Sequence, residues 1–157
     1  MSLLSKDRAS RFRLINFYPP MMGAGIRVTK VSPDFTHIDV EMKLRWWNRN
    51  IVGTQFGGSL YAMCDPFYMA ILMTHLGADY IVWDKAARID FLRPGRGRVR
   101  AHFHIPQAEI DRVRDLADQS HKVEPEYVLD VVDDSGAVVA RVHKTIYVRR
   151  KNREPSA

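Results

Sequence analysis

The stretch Phe56-Gly-Gly-Ser-Leu-Tyr-Ala-Met-Cys-Asp-Pro-Phe-Tyr-Met-Ala-Ile-Leu-Met-Thr-His75 decides how this chain folds. It opens beside a glycine pair, runs to Gly77, and is apolar on nearly every side, with Asp65 as its single formally charged residue. A helix that is hydrophobic all round belongs inside protein or lipid. About 20 apolar residues would cross a bilayer, but Gly57-Gly58, Asp65-Pro66 and His75 each oppose insertion. The expectation is a core helix around which a sheet wraps. In such a helix Asp65 is out of place, because a buried carboxylate needs a partner, a raised pKa or a task.

The 157 residues are expected to form one domain, 1–157, long enough to bury a core without disulfides. The single cysteine, Cys64, has no partner in the chain, which fits a reducing compartment. Lys6, Asp7, Arg8, Arg11 and Arg13 interrupt any apolar run near Met1, so no signal peptide is read and the expected location is cytoplasmic. The net charge of +6 gathers in Arg93, Arg96, Arg98 and Arg100 and again in Arg149, Arg150, Lys151 and Arg153. Such clusters suit a polyanionic partner, whether nucleic acid, anionic lipid or a phosphorylated small molecule such as coenzyme A, or simply a solvated basic surface.

Residues 3–17 suggest a short amphipathic helix stopped by Pro19-Pro20, giving an N-terminal helical segment 1–20. Gly23-Ala24-Gly25 then reads as a flexible turn into a first strand with Ile26 and Val28. Ile38, Val40, Met42 and Leu44 alternate with His37, Asp39, Glu41 and Lys43, the pattern of a strand with one buried face. The loop with Trp46 and Trp47 follows and leads into the apolar helix. Strands are expected over 80–92 and 96–105, a surface helix over 107–119, and a hairpin over 127–148 turning at Asp133-Asp134-Ser135-Gly136. Residues 150–157 read as a flexible tail. The fold class is therefore α+β, an antiparallel sheet of about six strands curved around a long central helix. The architecture that solves this burial problem is the hot-dog fold.

Asn50, Gly53, Phe56-Gly57-Gly58 and Asp65 resemble the active-site signature of the phenylacetic-acid-type hot-dog acyl-CoA thioesterases, which have Asn, Gly, His-Gly-Gly and an Asp nine residues after the His. Asn16-Phe-Tyr-Pro-Pro20, Gly23-Ala-Gly25, Trp83-Asp-Lys85, Phe91-Leu-Arg-Pro-Gly95 and Lys144-Thr-Ile-Tyr-Val-Arg149 are similar to a DUF4442-like group of tetrameric acyl-CoA thioesterases. The resemblance implies hydrolysis of an acyl- or aroyl-CoA by a homodimer or dimer of dimers. Asp65 would be nucleophile or general base, the Gly57 N–H an oxyanion donor, and Asn50 an orienter of water or carboxylate. Phe56, Gly58, Tyr61, Asp84, Arg93 and Arg96 are the substrate-contact candidates, and no cofactor is expected. A helix N-terminus suits a developing oxyanion because its N–H groups lack intrahelical acceptors. Asp65 lies eight residues past Gly57, about 12 Å along a continuous helix, so one carbonyl would meet both only if they came from different subunits. Pro66 would kink the helix and aim the preceding carboxylate at a cleft, or would only bend the helix to fit its sheet.

Two positions depart from the signature. Phe56 stands where the thioesterases have His, and residues 80–93 contain no Ser or Thr to hold an attacking water. Asp84 and Lys85 occupy that neighbourhood, as an ion pair near the site or a salt bridge between subunits. The competing reading is a non-catalytic module that binds an acyl-CoA or fatty acid. Nucleic-acid binding by the arginine row is weaker, since Arg96, Arg98 and Arg100 can also face water, line an interface or bridge to Asp39 and Glu41. His102 and His104 share a strand face without an acid or Cys on that strand, and two imidazoles do not make a zinc site, so no metal is expected. Cys64 reads as packing.

Overall fold

The computed structural model describes residues 10–151, and its frame is one six-stranded antiparallel sheet in the order β1-β2-β4-β5-β6-β3. The strands are β1 (Ile26–Val31), β2 (His37–Lys43), β3 (Tyr80–Phe91), β4 (Arg98–His104), β5 (Glu126–Asp133) and β6 (Val138–Arg150). Their registers follow from alternation. Val40 faces Val28 on one side and Ala101 on the other, and all three are buried, while Asp39 and His102 pair on the opposite face. The expected hot-dog arrangement of sheet around helix is the one observed.

The apolar stretch is not one helix. It forms α2 (Gly57–Ala62) and α3 (Phe67–Leu76), separated by a turn in which the Cys64 N–H donates to Tyr61 O (2.7 Å) and the Asp65 N–H to Ala62 O (3.4 Å). These three-residue spacings mark a tightened last turn. Pro66 has no N–H to continue the ladder and disfavours helical geometry at Asp65. The continuous rod expected from composition is therefore broken at the proline. α3 carries the core, with Phe67, Ile71, Leu72 and Leu76 buried. The Phe67 and Phe103 ring centroids lie 4.9 Å apart, and Tyr68 stacks on Tyr127 at 4.8 Å.

The helix α4 (Gln107–Gln119) spans the residues expected of it and turns Ile110, Val113 and Ala117 inward. Tyr80 and Arg150 on the sheet both reach Asp118, at 2.7 and 3.3 Å.

The N-terminal expectations need correction. Residues 1–9 lie outside the described residues; residues 10–12 are helical and tighten into a 3-10 turn over Arg13–Phe17 that ends at the extended Tyr18, as expected, but Pro19-Pro20 also begin a second helix, α1 (Pro19–Ala24). Proline is suited to a first helical turn, where its missing N–H would have no acceptor. Gly25 is a left-handed C-cap (φ 76°), so the segment 23–25 is a helix end and not a flexible turn. Asn48 clamps it, donating to Ala24 O and Lys43 O at 2.9 Å each while accepting from the Arg45 N–H at 2.7 Å. Asn16 covers the β1 edge, donating to Val28 O (3.0 Å) and accepting from the Val28 N–H (2.7 Å). At the other end, β6 extends to Arg150, so that residue belongs to the sheet, and the expected tail past Lys151 lies outside the described residues.

Candidate functional site

Two groups of expected site residues come together, and they are separate groups. The first surrounds the start of α2. A cleft of about 410 Å³ is lined by Asn50, Gln55, Gly57, Phe91 and Arg93 among others. Gly57 permits close approach, because a Cβ there would lie 3.0 Å from the Phe91 ring. Its N–H sits in the first helical turn, where no intrahelical acceptor exists. The Phe56 ring folds against Gly58, where a Cβ would come within 2.6 Å of it.

Asn50 is committed to its own loop. Its Oδ1 accepts from the Val52 and Thr54 N–H groups at 3.1 and 2.9 Å, and its Nδ2 donates to Thr54 Oγ1 at 2.9 Å. An Asn that organises a turn in this way shapes the cleft wall. Gln55, which pattern reading passed over, is buried and ties three segments together. Its Nε2 donates to Gly97 O at 2.9 Å and lies 3.4 Å from Met42 O, and its backbone N–H donates to Gly95 O at 2.9 Å.

The second group surrounds Asp65. The side chain of Lys144, on β6, is fully buried, and its Nζ lies 3.0 Å from Asp65 Oδ1, 2.9 Å from Asp84 Oδ1 and 3.4 Å from the Tyr61 hydroxyl. Tyr61 donates to Asp65 Oδ1 at 2.8 Å. Burial favours the neutral Lys144 amine, but the negative charges of Asp84 and Asp65, with the hydrogen bond to Asp65, outweigh it and hold the pKa above the ordinary lysine value. Burial pushes Asp84 up despite the opposing ammonium, and burial together with the hydrogen bond to Asp65 raises Tyr61.

The expectation of a carboxylate sunk in an apolar helix is thus corrected: the Asp65 side chain is 47% exposed, and the buried charge is Lys144. The break before Pro66 carries Asp65 out of the core. One carboxylate oxygen is anchored by Tyr61 and Lys144, while Oδ2 takes no hydrogen bond among the described residues. A carboxylate anchored through one oxygen and open at the other can accept a proton from water or attack an electrophile.

The remaining candidates fall elsewhere. Asp84 and Lys85 do not pair with each other, since Lys85 meets Glu124 at 2.6 Å. Arg96 is exposed and does not line the cleft. Arg98 reaches Glu41 (3.5 Å), as one reading of the arginine row had it, and Arg100 reaches Asp134 (2.6 Å). Asp39 meets histidines instead. Cys64 is fully buried and burial pushes its thiol up to about 12, which leaves it inert. Lys144 had a sequence signal: it occupies an inward position among Val142, Ile146 and Val148, where an alternating strand places apolar residues.

Among the described residues no helix is long and apolar enough to cross a membrane. No curated protein matches the chain. A Pseudomonas aeruginosa protein of unknown function, described as a probable thioesterase, superposes with a TM-score of 0.81 at 21% identity, covering 90% of this chain and 95% of that one. A Haemophilus influenzae thioesterase gives 0.67 at 12% identity, with 94% of each chain covered. A mutant of the phenylacetic acid degradation protein PaaI from Thermus thermophilus gives 0.53 at 25% identity, covering 82% of this chain and 97% of that one. These likenesses establish the hot-dog fold of the thioesterases. Residues 7–148 match the family described as domain of unknown function DUF4442, and with nearly its whole length matched, this chain belongs to that family.

Proposed function

We propose that the protein hydrolyses an acyl- or aroyl-CoA thioester as a homo-oligomer, with Asp65 as general base or nucleophile and the Gly57 N–H of a neighbouring protomer as oxyanion donor. The observation that carries this reading is the state of Asp65, with Oδ1 held by Tyr61 and Lys144 and Oδ2 open. Water deprotonated there would add to the thioester carbonyl, and collapse of the tetrahedral intermediate would release the carboxylic acid and the thiol. As nucleophile, Asp65 would instead form an anhydride that water then cleaves.

Assembly is supported by the sheet edges. β3 is twelve residues long and terminal in the sheet, and among the described residues it pairs only with β6. A long open edge is a template for a second strand, and a copy of β3 would close it. Trp83 and Phe91 on this strand are half exposed. The opposite edge, β1, is covered by Asn16. With Asn50 engaged in its loop, its contribution is to hold the cleft wall rather than to orient water.

The second reading, a non-catalytic acyl-CoA or fatty-acid binder, draws on the Phe56 and Phe91 rings that lie over Gly58 and Gly57. A panel of aliphatic and aromatic CoA thioesters separates the two. Release of free thiol by the purified protein supports hydrolysis, whereas a ligand-dependent rise in Tm without thiol release supports the binder.

A further inference from the structure

The outer face of the sheet gathers a second set of chemistry-bearing side chains, away from both groups above. β2 and β4 run antiparallel in a register that opposes Asp39 to His102 and His37 to His104. Side chains two apart on a strand share a face, so His37, Asp39, His102 and His104 all project to one side. His37 Nε2 and His102 Nδ1 both point at the same carboxylate oxygen, Asp39 Oδ1, the latter from 2.8 Å. One donor atom from each of the three residues lies within 4.8 Å of the other two. The fourth residue, His104, turns its Nδ1 to Thr36 O at 3.2 Å. His102 and His104 alone lack the acid a metal site needs. Strand pairing supplies it from β2.

We propose that His37 Nε2, His102 Nδ1 and one oxygen of Asp39 form a binding site for a divalent transition metal ion, with zinc as the best match. Two imidazoles and a carboxylate are ligands of intermediate softness that suit Zn²⁺, Co²⁺, Ni²⁺ or Cu²⁺, whereas Ca²⁺ and Mg²⁺ require a shell of oxygens. Zinc lies about 2.0–2.1 Å from nitrogen and oxygen ligands. Tetrahedral ligands at that distance are about 3.4 Å apart, so the three atoms reach their places by small side-chain rotations on a fixed backbone. Each ring now donates an N–H to Asp39 Oδ1 from the nitrogen that would bind the ion, so binding moves that proton off the nitrogen, either to the other ring nitrogen by a change of tautomer or to solvent, and oxidises no group. With three protein ligands the fourth position is open to water, and the ion would tie β2 to β4.

The test is titration of the metal-free full-length protein with CoCl₂ and with ZnCl₂ competing against a chromophoric chelator. The expected result is one ion per chain, a visible Co²⁺ absorption of tetrahedral or five-coordinate type, and displacement of Co²⁺ by Zn²⁺. His102→Ala and Asp39→Asn should each weaken binding about 100-fold. His143→Ala should leave it unchanged, since that imidazole sits beside Asp90, 3.6 Å away. Absence of stoichiometric binding, or equal affinity in wild type, His102→Ala and Asp39→Asn, would overturn the proposal. Neither outcome depends on thioester turnover.

Discussion

Lys144 Nζ lies 3.0 Å from Asp65 Oδ1 across the gap between the last strand and the broken helix, and the lysine, not the aspartate, is the group removed from water. The pair divides two tasks. Lys144 supplies a fixed positive charge from inside, and Asp65 presents the opposing carboxylate at the surface.

Replacing the lysine should therefore be felt first in stability. Lys144→Met keeps the apolar stem but leaves Asp84 without its cation, and removing one partner of a buried pair costs about 3 kcal/mol. The urea midpoint should fall accordingly, and adding Asp84→Asn should recover part of the loss because the orphaned charge is gone.

The same lysine sets an alkaline limit. Burial opposes its charge, yet its carboxylate partners raise its folded-state pKa above the ordinary lysine value. The folded chain thus holds this proton more tightly than the unfolded one. The resulting stability is complete below that value and disappears as pH rises through the folded-state pKa. The difference in unfolding free energy between wild type and Lys144→Met, measured from pH 9 upward, should shrink across that window.

Gly25 and Gly136 separate strain from crowding. Both have positive φ, 76° and 82°, but a Cβ on Gly25 would lie 2.6 Å from Asn48 Nδ2, whereas at Gly136 nothing is within 4 Å. Gly136→Ala should lose about 1 kcal/mol from backbone strain alone. Gly25→Ala should lose about 2–3 kcal/mol, since it also dislodges the Asn48 clamp. Denaturant midpoints of the two variants check the difference.

Cys64 is the chain's only thiol, fully buried and with its pKa pushed up to about 12 by that burial. A chromogenic disulfide reagent should leave it unmodified in the native protein and titrate one thiol per chain after denaturation.

How much of this was visible in the sequence depends on the range of the cause. The β2 alternation of Ile38, Val40 and Met42 and the α4 spacing of Ile110, Val113 and Ala117 are local patterns, and local patterns can be read. The signature Asn50, Gly57 and Asp65 was equally visible, but its geometry was not. Apolar composition hides a helix break, and only Pro66 hinted that Asp65 would leave the core. Lys144 and Gln55 act through partners far along the chain, 79 residues from Asp65 and 42 from Gly97. The acid that joins the two histidines is on another strand for the same reason.

The central claim is that the open oxygen of Asp65 carries out the chemistry. Its most direct test compares kcat of wild type and Asp65→Asn on whichever CoA thioester wild type hydrolyses, with both proteins shown to be equally folded and assembled. The account predicts a fall of about 10²–10⁴-fold, and an unchanged kcat in the Asn variant would contradict it.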